Sequence, residues 1–227
     1  MEEQSALAAL LAAARIAPSL IESLAHYGAL LLQTNRRFNL TGADTPEELA
    51  PHLLDSLSIV PYVQGPLIDV GSGGGLPAIP LAIATGVHVT LVESTTKKAA
   101  FLEAVLGTLG VAGQVIPQRA ELAARDPALR EQFASATARA VSSAPTVLEL
   151  AVPFVRVGGV AVLQRGQMDA REREAVRDAA PMLGAVLEEE VLLEGERRVL
   201  LATKTAPTPQ RFPRRTGIPE KRPLCFS

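Results

Sequence analysis

Four glycines fall within five residues of the run Leu67-Ile68-Asp69-Val70-Gly71-Ser72-Gly73-Gly74-Gly75-Leu76-Pro77. A backbone without β-carbons can turn sharply and approach a ligand that side chains would hold off. The segment therefore reads as a strand running into a turn that seats a cofactor, then into a helix. Glu93 lies 22 residues after Gly71, at the expected end of the next strand, where a carboxylate can accept both hydroxyls of a ribose. A dinucleotide fingerprint needs a glycine at position 76, and Leu76 stands there, which argues against a nicotinamide oxidoreductase. Arg139, inside the apolar run Thr137-Ala138-Arg139-Ala140-Val141, is costly unless it emerges at the strand's carboxyl edge or is held in a buried salt bridge. His52 and Asp55 share one helix face three residues apart, which by itself suggests a surface polar pair. No nucleophile arrangement or metal-ligand spacing is visible: Cys225 stands alone, and His26 and His88 have no acidic neighbours at useful spacing.

The elements that must position these residues follow from periodicity. Residues 6–16 and 19–37 read as helices, the second with Leu20, Leu24, Tyr27 and Leu31 at helical spacing. Thr45-Pro46-Glu47-Glu48 combines a capping threonine, proline at the first helical position and glutamate three residues on, starting a third helix that runs to about Val60. From Leu67, short apolar runs alternate with helical stretches, as a parallel sheet with crossover helices requires. Strands are expected over 67–70, 88–93, 114–117, 137–141 and 160–164. Helices are expected over 77–85, 96–110, 121–133, 145–156 and 170–183. Two runs, 186–193 and 198–203, joined by Glu194-Gly195-Glu196, suggest a closing antiparallel hairpin.

Three regions result: an N-terminal helical extension over 1–62, an α/β domain over 63–205 and a C-terminal tail over 206–227. The tail is the one strongly charged feature. From Lys204 onward, six basic residues oppose Glu220, giving +5 against −7 for residues 1–203, within a net charge of −2. Five prolines in those 24 residues predict an extended segment outside the core. A single cysteine fits a reducing compartment, and no targeting or membrane-spanning run is visible, so a soluble cytoplasmic protein is expected. Asparagine occurs only at Asn35 and Asn39.

D-x-G-x-G-x-G resembles the first motif of class I S-adenosylmethionine-dependent methyltransferases. Further runs make the chain similar to the RsmG (glucose-inhibited division protein B) family of 16S rRNA guanine-N7 methyltransferases. They are Arg37-Phe38-Asn39-Leu40-Thr41, His52-Leu53-Leu54-Asp55-Ser56, Glu93-Ser94 with Lys97-Lys98, Arg119-Ala120-Glu121, Arg139-Ala140, Gly166-Gln167, Gly195-Glu196-Arg197 and the tail from Phe212 to Leu224. The resemblance implies a Rossmann-like, mostly parallel seven-stranded sheet with helices on both faces. It implies S-adenosylmethionine as cofactor and a guanine of the small ribosomal subunit (guanine 527) as target. The residue inventory itself points to no metal, and a monomer is expected.

Carried onto this chain, the resemblance puts cofactor contacts at Asp69, Gly71, Ser72, Gly73, Gly75, Leu76, Glu93, Ser94, Thr95, Thr96, Ala120, Glu121 and Arg139. Arg139 and Arg197 would lie near the target base. RNA contacts would come from Arg165, Arg197, Arg211, Arg214, Arg215, Lys221 and Arg222. Arg165 stands where the family commonly has lysine, and its planar fork presents a different geometry. Two other readings keep parts of this pattern: a methyltransferase for small molecules or protein, which has no need of the basic tail, and a non-catalytic ribosomal assembly factor, which has no need of the cofactor.

Overall fold

The computed structural model describes every residue except 140, 141, 189, 194–196, 226 and 227. Three helices open the chain: α1 (Glu2–Ala13), α2 (Pro18–Asn35) and α3 (Pro46–Leu57). Proline starts α2 and α3, where its missing N–H is one the first turn leaves unpaired anyway. At α3 the Thr45 hydroxyl accepts the Glu48 N–H at 3.3 Å, and Glu48 reaches back to the Asp44 N–H at 2.8 Å. The expected capping box forms, with its return bond one residue early.

Strands and helices then alternate: β1 (Leu67–Val70), α4 (Ala78–Thr85), β2 (Val89–Val92), α5 (Thr96–Leu109), β3 (Gly113–Ile116), α6 (Ala120–Ala123), β4 (Phe133–Arg139), α7 (Ala144–Ala151), β5 (Val155–Arg165), α8 (Ala170–Met182), β6 (Ala185–Leu187), β7 (Val191–Leu192), β8 (Arg198–Lys204) and α9 (Ile218–Lys221). The sheet order is β3-β2-β1-β4-β5-β8-β6, with β7 also pairing β8. The first five positions are parallel, and β8 runs antiparallel to its neighbours. Chain direction across the sheet reverses beside β1, so the loops after β1 and β4 part and leave a crevice at the strands' carboxyl ends.

Both sheet faces are covered, which explains why the strands read as nearly continuous apolar runs. Leu67, Val89 and Leu91 pack with Leu7, Leu24, Leu53 and Leu102, so α1–α3 share a core with the sheet. Ile68, Val70 and Val92 face the other way, among residues of α6, α7 and α8.

Several boundaries differ from the sequence expectation. The helix expected over 121–133 is the single turn α6, because Asp126 caps the Ala128 N–H at 2.9 Å and Pro127 cannot continue the ladder. Phe133 instead begins β4 and meets Phe154 edge-on at 6.5 Å between centroids. β5 begins five residues early, so Val155 and Arg156 join it rather than the preceding helix. The run expected over 186–193 divides into β6 and β7, while the joining Glu194-Gly195-Glu196 lies outside the described residues.

The largest correction concerns the tail, which is no solvated arm. Phe212 is 3% exposed and Leu224 7%, and both belong to the core cluster of α7 and α8. Proline removes backbone donors from this segment, and its carbonyls are met by arginines of the globular body. Arg130 donates to Phe212 O at 2.9 Å and Thr208 O at 2.8 Å, and Arg125 donates to Pro213 O at 2.6 Å. Buried Lys204 contacts Glu131 and Val152 O, each at 3.1 Å, at the start of this strap. Phe212→Ala should therefore lower unfolding free energy by about 3–5 kcal/mol, the cost of emptying a buried phenyl site. Chemical denaturation reads this directly, and an unchanged midpoint would return the tail to solvent.

Candidate functional site

Where β1, β2, β4 and β5 end, loops enclose an open cleft of about 1230 Å³. Its floor is the glycine turn after β1. A β-carbon on Gly73, which has φ of 56°, would meet only Gly71 O at 3.8 Å, so this residue opens toward free space. The turn is gripped from the side by Glu93, just past β2. One carboxylate oxygen accepts the Gly73 N–H at 3.0 Å and the other the Thr95 N–H at 2.7 Å. Two of its lone-pair positions remain for a ligand, and Glu93 borders the cleft.

Asp69 lies buried beneath the turn. Its Oδ1 accepts the Thr137 hydroxyl at 2.7 Å, and its Oδ2 has no partner. Burial pushes its carboxyl up to about 6, against the hydrogen bond from Thr137 and the field of Arg139 and with that of Glu93. The floor is therefore acidic, and a positively charged ligand would relieve it.

The wall opposite is built around Asp55 of α3, which is 9% exposed and no surface residue. Its carboxylate lies 3.0 Å from Arg197 and 3.6 Å from Arg139, and its carbonyl accepts the Gln164 side-chain N–H at 2.7 Å. Arg139 thus satisfies both expectations: it emerges at the end of β4 on the cleft, and it is paired. His52 also borders the cleft, with its pKa lowered by burial and by Arg139, against the pull of Asp55. Arg165 lies on this side, but its fork is engaged by Ser142 O and by Glu172 at 2.9 Å.

The third wall carries Arg119, Ala120 and Glu121. Here the Glu121 carboxylate accepts the Gly217 N–H of the strap at 2.8 Å. Of the residues anticipated for cofactor contact, Gly71, Ser72, Gly73, Leu76, Glu93, Ser94, Ala120, Glu121 and Arg139 come together in the cleft lining. Asp69 and Gly75, both buried, and Thr95 and Thr96, both exposed, are not part of that lining. Of those anticipated for RNA, Arg165 and Arg197 border the cleft, while Arg211, Arg215, Lys221 and Arg222 are exposed on the strap. Arg214 departs from expectation: its fork closes on buried Glu149 at 2.6–3.0 Å, so it clamps the strap.

Sequence reasoning gave no site role to residues 39–42, which border the cleft. Asn35 builds this loop, its side-chain oxygen accepting the Leu40 and Thr41 N–H groups at 2.7 and 3.0 Å. The available signal was that both asparagines of the chain stand here. Asp55 and Gln164 were also missed as a unit, because their partners are remote in sequence.

The family model described as rRNA small subunit methyltransferase G matches residues 20–201. The chain belongs to this family. The ribosomal RNA small subunit methyltransferase G of Rubrobacter xylanophilus is 44% identical over 217 residues, covering 89% of this chain and 83% of the relative. Among solved structures, an O-methyltransferase from Bacillus cereus in complex with SAH aligns with a TM-score of 0.57 at 17% identity, over 79% of this chain and 91% of that one. A mutant of MtNAS in complex with S-adenosylmethionine aligns at 0.54 and 20%, over 86% and 81%. The fold of this rRNA small subunit methyltransferase G family member is the class I methyltransferase fold, with its strand order and its crevice.

The pH dependence of stability tests the buried floor. Folded Asp69 keeps its proton up to about pH 6, whereas unfolded it releases it near the usual 3.8. The folded state holds the extra proton in that window, so ligand-free stability should fall as pH rises from about 4 through 6. Asp69→Asn should flatten this part of the profile in unfolding titrations. An identical slope in the variant would show that the carboxyl is not held protonated.

Proposed function

We propose that the cleft binds S-adenosylmethionine and directs its methyl group to N7 of a guanine in 16S rRNA, guanine 527, within the small ribosomal particle, and that the protein works as a cytoplasmic monomer. The observation that carries this reading is the Glu93 carboxylate, fixed beside the glycine turn with acceptor capacity left over, in a chain of the rRNA methyltransferase family. The residues fit the cofactor. Gly73 leaves its front open, Glu93 suits ribose hydroxyls, and the acidic floor of Asp69 and Glu93 suits a ligand carrying an ammonium and a sulfonium.

Bound there, the cofactor supplies an electrophilic methyl group on sulfur. Guanine N7 offers an in-plane lone pair and has no proton to lose, so no side chain has to act as general base. What the chain must provide is alignment and exclusion of water. Arg139 and Arg197, spaced by Asp55, present guanidinium forks that can stack on a base or grip a phosphate. His52, with its depressed pKa, stays neutral at physiological pH and adds no charge against the cationic ring that methylation creates. Arg211, Arg215, Lys221 and Arg222 stand exposed on the strap, where they can lie along RNA phosphates and make affinity strongly salt-dependent.

Two measurements test this. Incubation with methyl-labelled S-adenosylmethionine and unmodified small-subunit particles, followed by mapping of the label, should find it on N7 of that one guanine. Label in protein or free nucleosides would point to another methyltransferase, and particle binding without transfer would point to an assembly factor. Separately, Glu93→Ala should weaken S-adenosylhomocysteine binding by about 1.5–3 kcal/mol, the range for hydrogen bonds to a charged group. Wild-type affinity in calorimetry would make Glu93 only a brace for the turn.

A further inference from the structure

The strap and the cleft meet along one wall. The Gly217 N–H donates to Glu121 at 2.8 Å, and the Thr146 hydroxyl donates to Pro219 O at 2.9 Å. Glu121, Thr146 and Glu220 all border the cleft, so strap residues and their direct partners form part of its lining. A few residues away, Glu149 is fully buried in α7 and receives the Arg214 backbone N–H at 2.7 Å as well as its guanidinium. The same guanidinium donates to Arg222 O at 2.7 Å and so closes the strap into a loop around α9.

Ala120, Ala123 and Ala124 hold this wall to the core from behind, and the strap meets its polar side. α6 is a single turn of four residues, too short to persist on its own hydrogen bonds. Glu121, within it, is 7% exposed. Without the Gly217 N–H, that oxygen would lose its donor, and a buried carboxylate missing a partner is unfavourable enough to shift the turn or swing the side chain into the cleft. The strap therefore holds the Glu121 side chain in place, and α7 anchors the strap through Glu149.

We propose that residues 214–220 of the strap are a working wall of the cofactor cleft, with Gly217 and Pro219 as positioning residues for Glu121 and Thr146. The proposal rests on the reading of the cleft as an S-adenosylmethionine site. It changes the role of the basic tail: the segment carrying the exposed cations is also the segment that completes the cofactor pocket. Because coupling is reciprocal, a ligand seated against Glu121 and Ala120 must in turn steady the strap.

The test uses the full chain and S-adenosylhomocysteine as the probe. Hydrogen exchange at the Gly217 amide should slow at least fivefold when the probe is bound. Arg214→Ala, which frees the strap at a point outside the cleft lining, should lower probe affinity at least tenfold while far-UV circular dichroism remains that of the folded protein. Should that variant fail to fold, the exchange measurement on the unmodified chain still decides. A bound probe that leaves Gly217 exchange unchanged, or a folded Arg214→Ala protein with full affinity, overturns the proposal and leaves the cofactor reading standing. No binding of the probe to the unmodified protein overturns both.

Discussion

Between α2 and the cleft there is room for one backbone and no side chain. A β-carbon on Gly74 would stand 2.8 Å from the Leu31 side chain and 3.1 Å from Leu40 O, and the Tyr27 hydroxyl donates to the Gly74 carbonyl at 2.7 Å. Tyr27 is fully buried, and burial drives its pKa upward, so this donor keeps its proton. The glycine turn is thus pinned from behind by the N-terminal helices and from the side by Glu93. The direction in which Gly73 faces, and the cleft it faces into, depend on both. The N-terminal helices are for this reason part of the site: α2 backs the turn and α3 supplies Asp55 to the opposite wall.

Charge is divided within the molecule by function rather than by region. Acid gathers under the floor, where Asp69 and Glu93 oppose each other across the turn. Arginines gather at the far wall and are kept from repelling one another by the single carboxylate of Asp55. The tail's positive charge is divided between a clamp on buried Glu149 and exposed side chains. Arg214 secures the strap to Glu149 with hydrogen bonds that would be weak in water and are strong beside a buried carboxylate. Its neighbours Arg211, Arg215, Lys221 and Arg222 stay exposed. A net charge of −2 conceals all of this, because net charge describes solubility and long-range steering, not sites.

The parts of the fold legible in the sequence are those set by local chemistry. β1 and its glycine turn, the capping threonine of α3 and the carboxylate at the end of β2 each follow from a few adjacent residues. The parts that were not legible depend on partners far along the chain. His52 and Asp55 look like a surface pair because the arginines that bury Asp55 arrive from β4 and from the approach to β8. The tail reads as an extended segment outside the core because proline and charge signal solvent exposure, whereas Arg125, Arg130 and Glu149 supply the missing donors and counter-charge from the globular body. The truncated α6 falls between these cases, since Asp126-Pro127 was a visible stop signal inside an otherwise helical composition.

The central claim is that the front of the glycine turn is the seat of a nucleoside cofactor, and one titration addresses it. Calorimetry of S-adenosylhomocysteine against the wild-type protein and against Gly73→Ala compares two chains that differ by one methyl group, which faces the cleft from a residue whose φ of 56° already disfavours a side chain. The account predicts one tight site in the wild type and at least a tenfold loss in a variant that still unfolds cooperatively. Equal affinity in the two proteins would contradict it, since a ligand on that turn cannot ignore a methyl group at Gly73.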